Sequence, residues 1–390
     1  MTILKNLRIW GGEGDHLRDD ADALEIQQGR IVRVGRGADL QGPDERDMGG
    51  LYVIPGLIDA HVHLCLNPEI MKPADQDLVS DEELLAQMKA RARAMLAAGI
   101  TTARDLGGGR WLELQVRDEI LDGEIPGPRL ICAGQPITSV NGHCHFWGGE
   151  ATDLAAAVTV LERQVHKGVD LIKVMATGGQ LTPDSQPVDA QFDAETLTAI
   201  VDAARGHRMA VAAHCHGTSG IRNAAIAGVD TIEHCSWVGK DGWAKNYEAE
   251  VCKMIAARGI RVSPTVNLGW KRRIGSGAYE TLVMSNFTRM REAGVTLIAS
   301  TDAGIPNVFH HDLPRALPVF AHFAGLDNAA VLRAATSDCA AAIGLGSVTG
   351  RIAPGLSADL LLLEQNPLQD LAALATPAAV YVRGVPFASG

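Results

Sequence analysis

Residues 54–66, IPGLIDAHVHLCL, put His61 and His63 two positions apart in a run whose only other polar side chain is Asp59. A Pro-Gly pair opens the run, and the continuous apolar stretch after it reads as a strand buried on both faces. Side chains at i and i+2 share one face of a strand, so the two imidazoles point the same way. They are either two hydrogen-bonded buried histidines or two neutral nitrogen ligands for one cation.

The same texture recurs downstream. Eight strand candidates follow one another: LIDAHVHL (57–64), TTARDLG (101–107), RLICAGQPI (129–137), LIKVMATGG (171–179), MAVAAHCHG (209–217), TIEHCS (231–236), RVSPTV (261–266) and TLIASTDAG (296–304). Helical runs such as DEELLAQMKARARAMLAAG (81–99), DLAAAVTVLERQVHKG (153–168) and AETLTAIVDAARGHR (194–208) separate most of them, each ending near a glycine or a basic residue. This alternation predicts an α/β fold with a parallel sheet, and eight units predict a closed (β/α)8 TIM barrel. No GxGxxG follows the first strand, so a dinucleotide fold is not indicated, and DLGGGRW (105–111) reads as a strand-to-helix loop.

The chain ends differ. ILKNLRIW, ALEIQQGRIVRVG and LYVIPG at one end, and the stretch from Gly350 at the other, read as short strands, with QQGR as a hairpin turn. Neither end has enough apolar surface for a core alone. We therefore expect residues 1–54 and 345–390 to form one small β domain and 55–344 the barrel.

Composition narrows the partners. A net charge of -11 and a single dense basic run, WKRR at 270–273, argue against nucleic acid and against an anionic membrane. The cysteines, Cys65, Cys132, Cys144, Cys215, Cys235, Cys252 and Cys339, are odd in number and lack a CxxC pair, so no disulfide framework is expected. With no apolar leader or membrane span in the pattern, the expected location is cytoplasmic, the partner a small-molecule substrate and the assembly a homo-oligomer.

Polar residues recur at the ends of the strand candidates. Lys173 interrupts the fourth; it either snorkels to the rim or pairs with a carboxylate, or it is carbamylated by CO2 and becomes an anionic oxygen ligand able to bridge two metals. His214 and His216 repeat the i, i+2 pattern on the fifth, and His234 ends the sixth. Asp302 ends the eighth, as a helix N-cap or as a metal ligand and proton acceptor. All fall where a barrel carries its active face, at the C-terminal ends of its strands.

These residues together resemble the amidohydrolase superfamily, over essentially the whole chain from VIPGLIDAHVHL to GRIAPGLSADLLLLEQNPL. TTARDLGG, LIKVMATGG, AAHCHG, AGVDTIEHC and SPTV are similar to its binuclear prolidase and Xaa-Arg carboxypeptidase branch, which is related to imidazolonepropionase. The resemblance implies that the two-ended β domain is of the urease-type sandwich. It implies two divalent ions, usually zinc, bridged by carboxylated Lys173 and a hydroxide. His61, His63 and Asp302 would hold one ion and His214 and His234 the other, with His216 outside the ligand set, either supporting a ligand or facing substrate. Asp302 would act as general base and then acid, and His143, after the third strand, would contact substrate, as could neighbouring His145. Several relatives carry Gly and Tyr after the strand-six histidine; here the run is HCSWVGKDGW, so Trp237 is either a pocket wall or a core residue, and the loop a candidate apolar wall. Arg104 and Asp105 are expected to form a structural ion pair.

The implied activity is hydrolysis of an amide bond in an N-acyl amino acid or dipeptide, with Arg222, Lys271, Arg272 and Arg273 as candidate carboxylate partners. The alternatives are a hydrolase of a cyclic amide, lactone, carbamate or aryl amide, and a non-catalytic scaffold relative that would have lost ligands.

Overall fold

The computed structural model describes residues 1–72, 76 and 78–388. Residues 73–75, 77, 389 and 390, which fall within the expected domain boundaries, lie outside the described residues.

Both chain ends build sheet together. One four-stranded sheet runs in the order Arg30–Gly35, Ala23–Gln27, Thr2–Lys5, Asp44–Asp47. Its hairpin turns at Gln28 and Gly29, both left-handed (φ 48° and 76°), the combination that a two-residue turn needs to match the twist of its strands. A five-stranded sheet runs Val385–Pro386, Ala379–Val382, Leu360–Leu363, Tyr52–Pro55, Arg8–Ile9, so Leu360 pairs with Pro55 across the whole chain. The run of four leucines explains itself through the pleat. Leu360 and Leu362 join Leu4, Leu24, Ile26 and Val53 in one core, while Leu361 and Leu363 point the other way into the main core.

Between these ends the strands are parallel. Leu57–Val62, Ile100–Asp105 and Arg129–Cys132 form one sheet; Ile172–Met175, Val211–Gly217, Thr231–Val238 and Arg261–Ser263 form another. A parallel bridge joins Ile137 to Val174, a second joins Val262 to Leu297, and a third joins Ala303 to Val62. Helices lie between successive strands and carry the caps that the sequence supplies. Ser80 caps Asp81–Ala97, Asp153 caps Leu154–Lys167 and Asp193 caps Ala194–Gly206, each contact contributing about 1 kcal/mol. Gly168 ends the second of these in the left-handed conformation that glycine adopts without strain.

The eighth strand candidate differs from expectation. Residues 296–304 form no strand of their own; they meet the seventh and first strands through isolated bridges at Leu297 and Ala303 and through backbone hydrogen bonds such as Ile298 N–H to the Val262 carbonyl and Asp302 N–H to the His61 carbonyl. The cause lies in Thr301, whose backbone N–H and hydroxyl both donate to the buried Asp59 carboxylate, and in Asp302, whose left-handed φ of 63° turns the chain.

Candidate metal centre and its cavity

The polar strand ends converge on one cavity of about 760 Å³. His61, His63, His143, Lys173, His214, His216, His234, Trp237 and Asp302 all line it. Three of the expected residues lie elsewhere, among them Lys271, which is exposed on the short turn Leu268–Arg273 while its neighbours Arg272 and Arg273 reach the wall. His145 sits in a short turn, His145–Trp147, off the cavity wall. Arg222 lies on the helix Thr218–Ala227 and pairs with Glu248.

His61, His63 and Asp302 form the tighter group. The Nε2 atoms of the two histidines are 3.2 Å apart, and Asp302 Oδ1 lies 3.2 Å from the first and 3.4 Å from the second. Three donors bound at about 2.1 Å to one tetrahedral ion would stand roughly 3.4 Å from one another. His214, His216 and His234 form a second group, with one nitrogen of each lying within 4.8 Å of the others. Here His216 joins the two histidines that the resemblance assigns, its ring stacked at 4.4 Å on that of His234.

Hydrogen bonds to the far side of each ring fix its direction. His63 Nδ1 donates to the Gly107 carbonyl at 2.8 Å, so its Nε2 is the bare nitrogen. His61 Nδ1 is 3.0 Å from Glu233 Oε2, and His234 Nδ1 is 2.9 Å from Thr265 Oγ1. His214 is reversed, with Nε2 donating to the Gly178 carbonyl at 3.0 Å. Such outer contacts set the tautomer and leave the inward nitrogen free to bind. Burial adds to this. It pushes His61 and His216 down to about 4 and His214 and His234 well below the usual imidazole range, so the rings stay neutral.

Lys173 is 2% exposed, so it does not snorkel to solvent. Burial lowers its pKa, Glu233 and Asp302 oppose that, and Arg104 adds to it. Burial alone would raise Asp302, yet His61, His63 and Lys173 hold it below the usual carboxylate range. No helix starts at Asp302, so the N-cap reading is set aside; its side chain faces His61 and His63.

The backbone is strained where the donors converge. His234, Cys235, Thr265 and Asp302 all have positive φ, between 49° and 66°. Each non-glycine residue held there costs on the order of 1–3 kcal/mol, a cost found at sites that need a side chain aimed against its preference. Thr265, being β-branched, is the least tolerant of the four.

One expectation is corrected. Arg104 does not pair with Asp105; it donates to Glu233 Oε1 at 2.7 Å, to Thr231 Oγ1 at 2.9 Å and to the Ala60 carbonyl at 2.6 Å. Successive strand residues point to opposite faces, which separates the two side chains. Asp105 instead accepts the backbone N–H groups of Leu64 and Gly107, bracing the loop that holds His63. Sequence reasoning also missed Glu233, although an acid inside the apolar TIEHCS was a visible signal. Trp243 falls in the WVGKDGW run that the sequence offered as an apolar wall, whereas Trp147, Trp270, Tyr279 and Phe287 gave no signal, because aromatic residues are as common in cores.

Comparison with known proteins decides the family. The amidohydrolase family model matches residues 52–386. The chain belongs to the amidohydrolase family. It is 28% identical to an ochratoxinase of Aspergillus niger, over 97% of this chain and 84% of that protein. It is 26% identical to an imidazolonepropionase of Chloroflexus aggregans, over 87% and 84% of the two chains. A solved prolidase complexed with N-methylphosphonate-L-proline superposes with a TM-score of 0.85 at 25% identity, covering 99% of each chain. Family membership makes the converging His and Asp donors a candidate divalent-metal centre. Among the described residues no helix is long and apolar enough to cross a membrane.

Proposed function

We propose that this amidohydrolase is a binuclear metal-dependent hydrolase of amide bonds in N-acyl amino acids or dipeptides. Its frame would be a (β/α)8 barrel over 55–344 with a sandwich from 1–54 and 345–390. The ring of parallel pairings and bridges supports the frame.

The observation that carries the chemistry is the three-atom convergence of His61, His63 and Asp302. Those residues would hold one divalent ion, zinc as the family resemblance implies, and His214 and His234 the second. Lys173, kept toward its neutral amine by burial, would add CO2 to become the carbamate between them. When bound, two such ions make a water acidic near neutral pH and polarise the scissile carbonyl. Asp302, within the same cluster, then takes the proton of the attacking water and hands it to the leaving nitrogen. His143, with its ring 4.6 Å from His214 and its Nδ1 without a protein partner among the described residues, would contact the substrate. The prolidase carrying a proline phosphonate supports a substrate with a free carboxylate.

Metal analysis of protein grown with zinc, coupled to assays of N-acyl amino acids and dipeptides against lactones and aryl carbamates, tests this. We expect two ions per chain and turnover of the amides. Activity confined to lactones and carbamates would remove the peptidase-like reading. Absence of stoichiometric metal would remove the hydrolase reading itself.

A further inference from the structure

The protein carries a net charge of -11, yet its cavity is lined with cations. Setting Lys173 aside, the described wall residues include Lys245, Arg272 and Arg273 against one carboxylate, Asp302. Asp302 is already engaged by His61 and His63. Arg273 is the cation held most firmly. Its guanidinium carbon lies 4.2 Å from the Trp270 ring centre and 5.6 Å from that of Tyr279. Trp270 is itself fixed from behind, edge-on to Phe323 at 5.3 Å and stacked on Phe287 at 6.5 Å. A guanidinium laid on an aromatic face keeps its N–H edges available for a planar anion. Burial lowers its pKa, Tyr279 opposes this and Arg272 adds to it. A half-buried cation for which the described residues supply no ion-pair partner is costly until an anion arrives.

We propose that Arg273 is the substrate-carboxylate residue and that the site takes N-acylated amino acids in preference to free dipeptides. This rests on the amide-hydrolase reading above. An N-acyl amino acid carries one charge, a carboxylate that Arg273 can grip with two parallel N–H groups. A dipeptide brings an α-ammonium as well. The described wall has no second carboxylate to receive it, and Lys245 and Arg272 repel it. Trp243, Trp270, Tyr279 and Phe287 supply apolar surface for the uncharged acyl group.

The metal-loaded full-length enzyme is assayed with N-benzoyl-L-phenylalanine and its C-terminal amide, following benzoate release, and with L-phenylalanyl-L-phenylalanine. Wild type, R273Q and R273K are compared. We expect wild-type kcat/KM to be at least about tenfold higher on the acid than on the other two. R273Q should lose about 10- to 100-fold on the acid, mainly in KM, and far less on the amide, with partial recovery in R273K. Equal turnover of acid and amide, faster turnover of the dipeptide, or equal losses on acid and amide in R273Q would each overturn the assignment. Should no amide be cleaved, calorimetric titration with N-benzoyl-L-phenylalanine separates the two readings. Weaker binding to R273Q keeps the carboxylate subsite while the hydrolase reading falls; equal binding removes the subsite too.

Discussion

His61 Nδ1 lies 3.0 Å from Glu233 Oε2, and the other oxygen of that carboxylate is held by Arg104 at 2.7 Å. All three side chains are buried. Burial alone would raise Glu233, but Arg104 and His61 hold it well below the usual carboxylate range. The acceptor is therefore a permanent anion, which keeps the His61 proton on Nδ1 and leaves Nε2 toward His63 and Asp302. Asp59 works on the same strand from the other side, accepting the His61 backbone N–H and both donors of Thr301, and so ties the first histidine to the segment that carries Asp302.

Glu233→Gln should preserve the fold and weaken metal binding by about 10- to 100-fold, the usual cost of losing such an outer partner. Competition with a chelator measures it. Glu233→Ala should also destabilise the protein by about 3–5 kcal/mol, because Arg104 is then a buried charge with no counterion. Unchanged metal affinity in both variants would show that the Glu233–His61 contact serves packing alone.

Lys173→Ala removes the proposed bridging group. Metal content should fall, and short-chain carboxylic acids, which can enter the vacated space as oxygen donors, should restore part of it. Metal analysis with and without acetate or propionate checks this, and circular dichroism confirms that the variant folds. Full metal loading without an added acid would sink the carbamate reading.

Much of this site was legible because chemistry interrupts pattern. A lysine in LIKVM, paired histidines in AHVHL and AAHCHG, and an aspartate in IASTDAG are costly in apolar runs unless something uses them. Seven of the eight strand candidates are strands, since parallel strands covered on both faces read as continuous apolar stretches. The eighth was over-read. TLIASTDAG has the right texture, but Thr301 spends its donors on Asp59, a partner 242 positions away that no local pattern reveals. Arg104 was misassigned for a related reason: adjacency in sequence suggested Asp105, whereas a strand sends neighbours to opposite faces and only the fold brings Glu233 within reach. Arg222 looked like a carboxylate partner until Glu248 came beside it.

Glu113 lies outside the metal cavity and gives a pH signature of its own. Its carboxyl is buried, one oxygen has no partner among the described residues, and burial, aided by Asp105, pushes it up to about 8. An unfolded carboxyl titrates near about 4.3. Between roughly pH 4.5 and 8 the folded protein therefore binds more protons than the unfolded chain, so this group lowers stability as pH rises through that window and adds no further change above it. The melting temperature of Glu113→Gln should fall less between pH 5 and 8 than that of the wild type, whatever its absolute value. Parallel falls would mean that Glu113 does not titrate there.

Asp302 joins both halves of the proposed chemistry. One oxygen meets His61 and His63, and the residue sits in a left-handed backbone conformation that aims its carboxylate inward. Asparagine at this position keeps the shape and can still offer one oxygen to a cation, but it cannot take a proton. Asp302→Asn should thus retain the fold and part of the metal while kcat drops by several orders of magnitude, with KM changing little. Because the residue combines ligand and base, metal content and turnover must be read on the same sample. A loss of rate that merely tracks metal loss would confine Asp302 to a ligand role, and near wild-type turnover at full occupancy would remove it from the proton path.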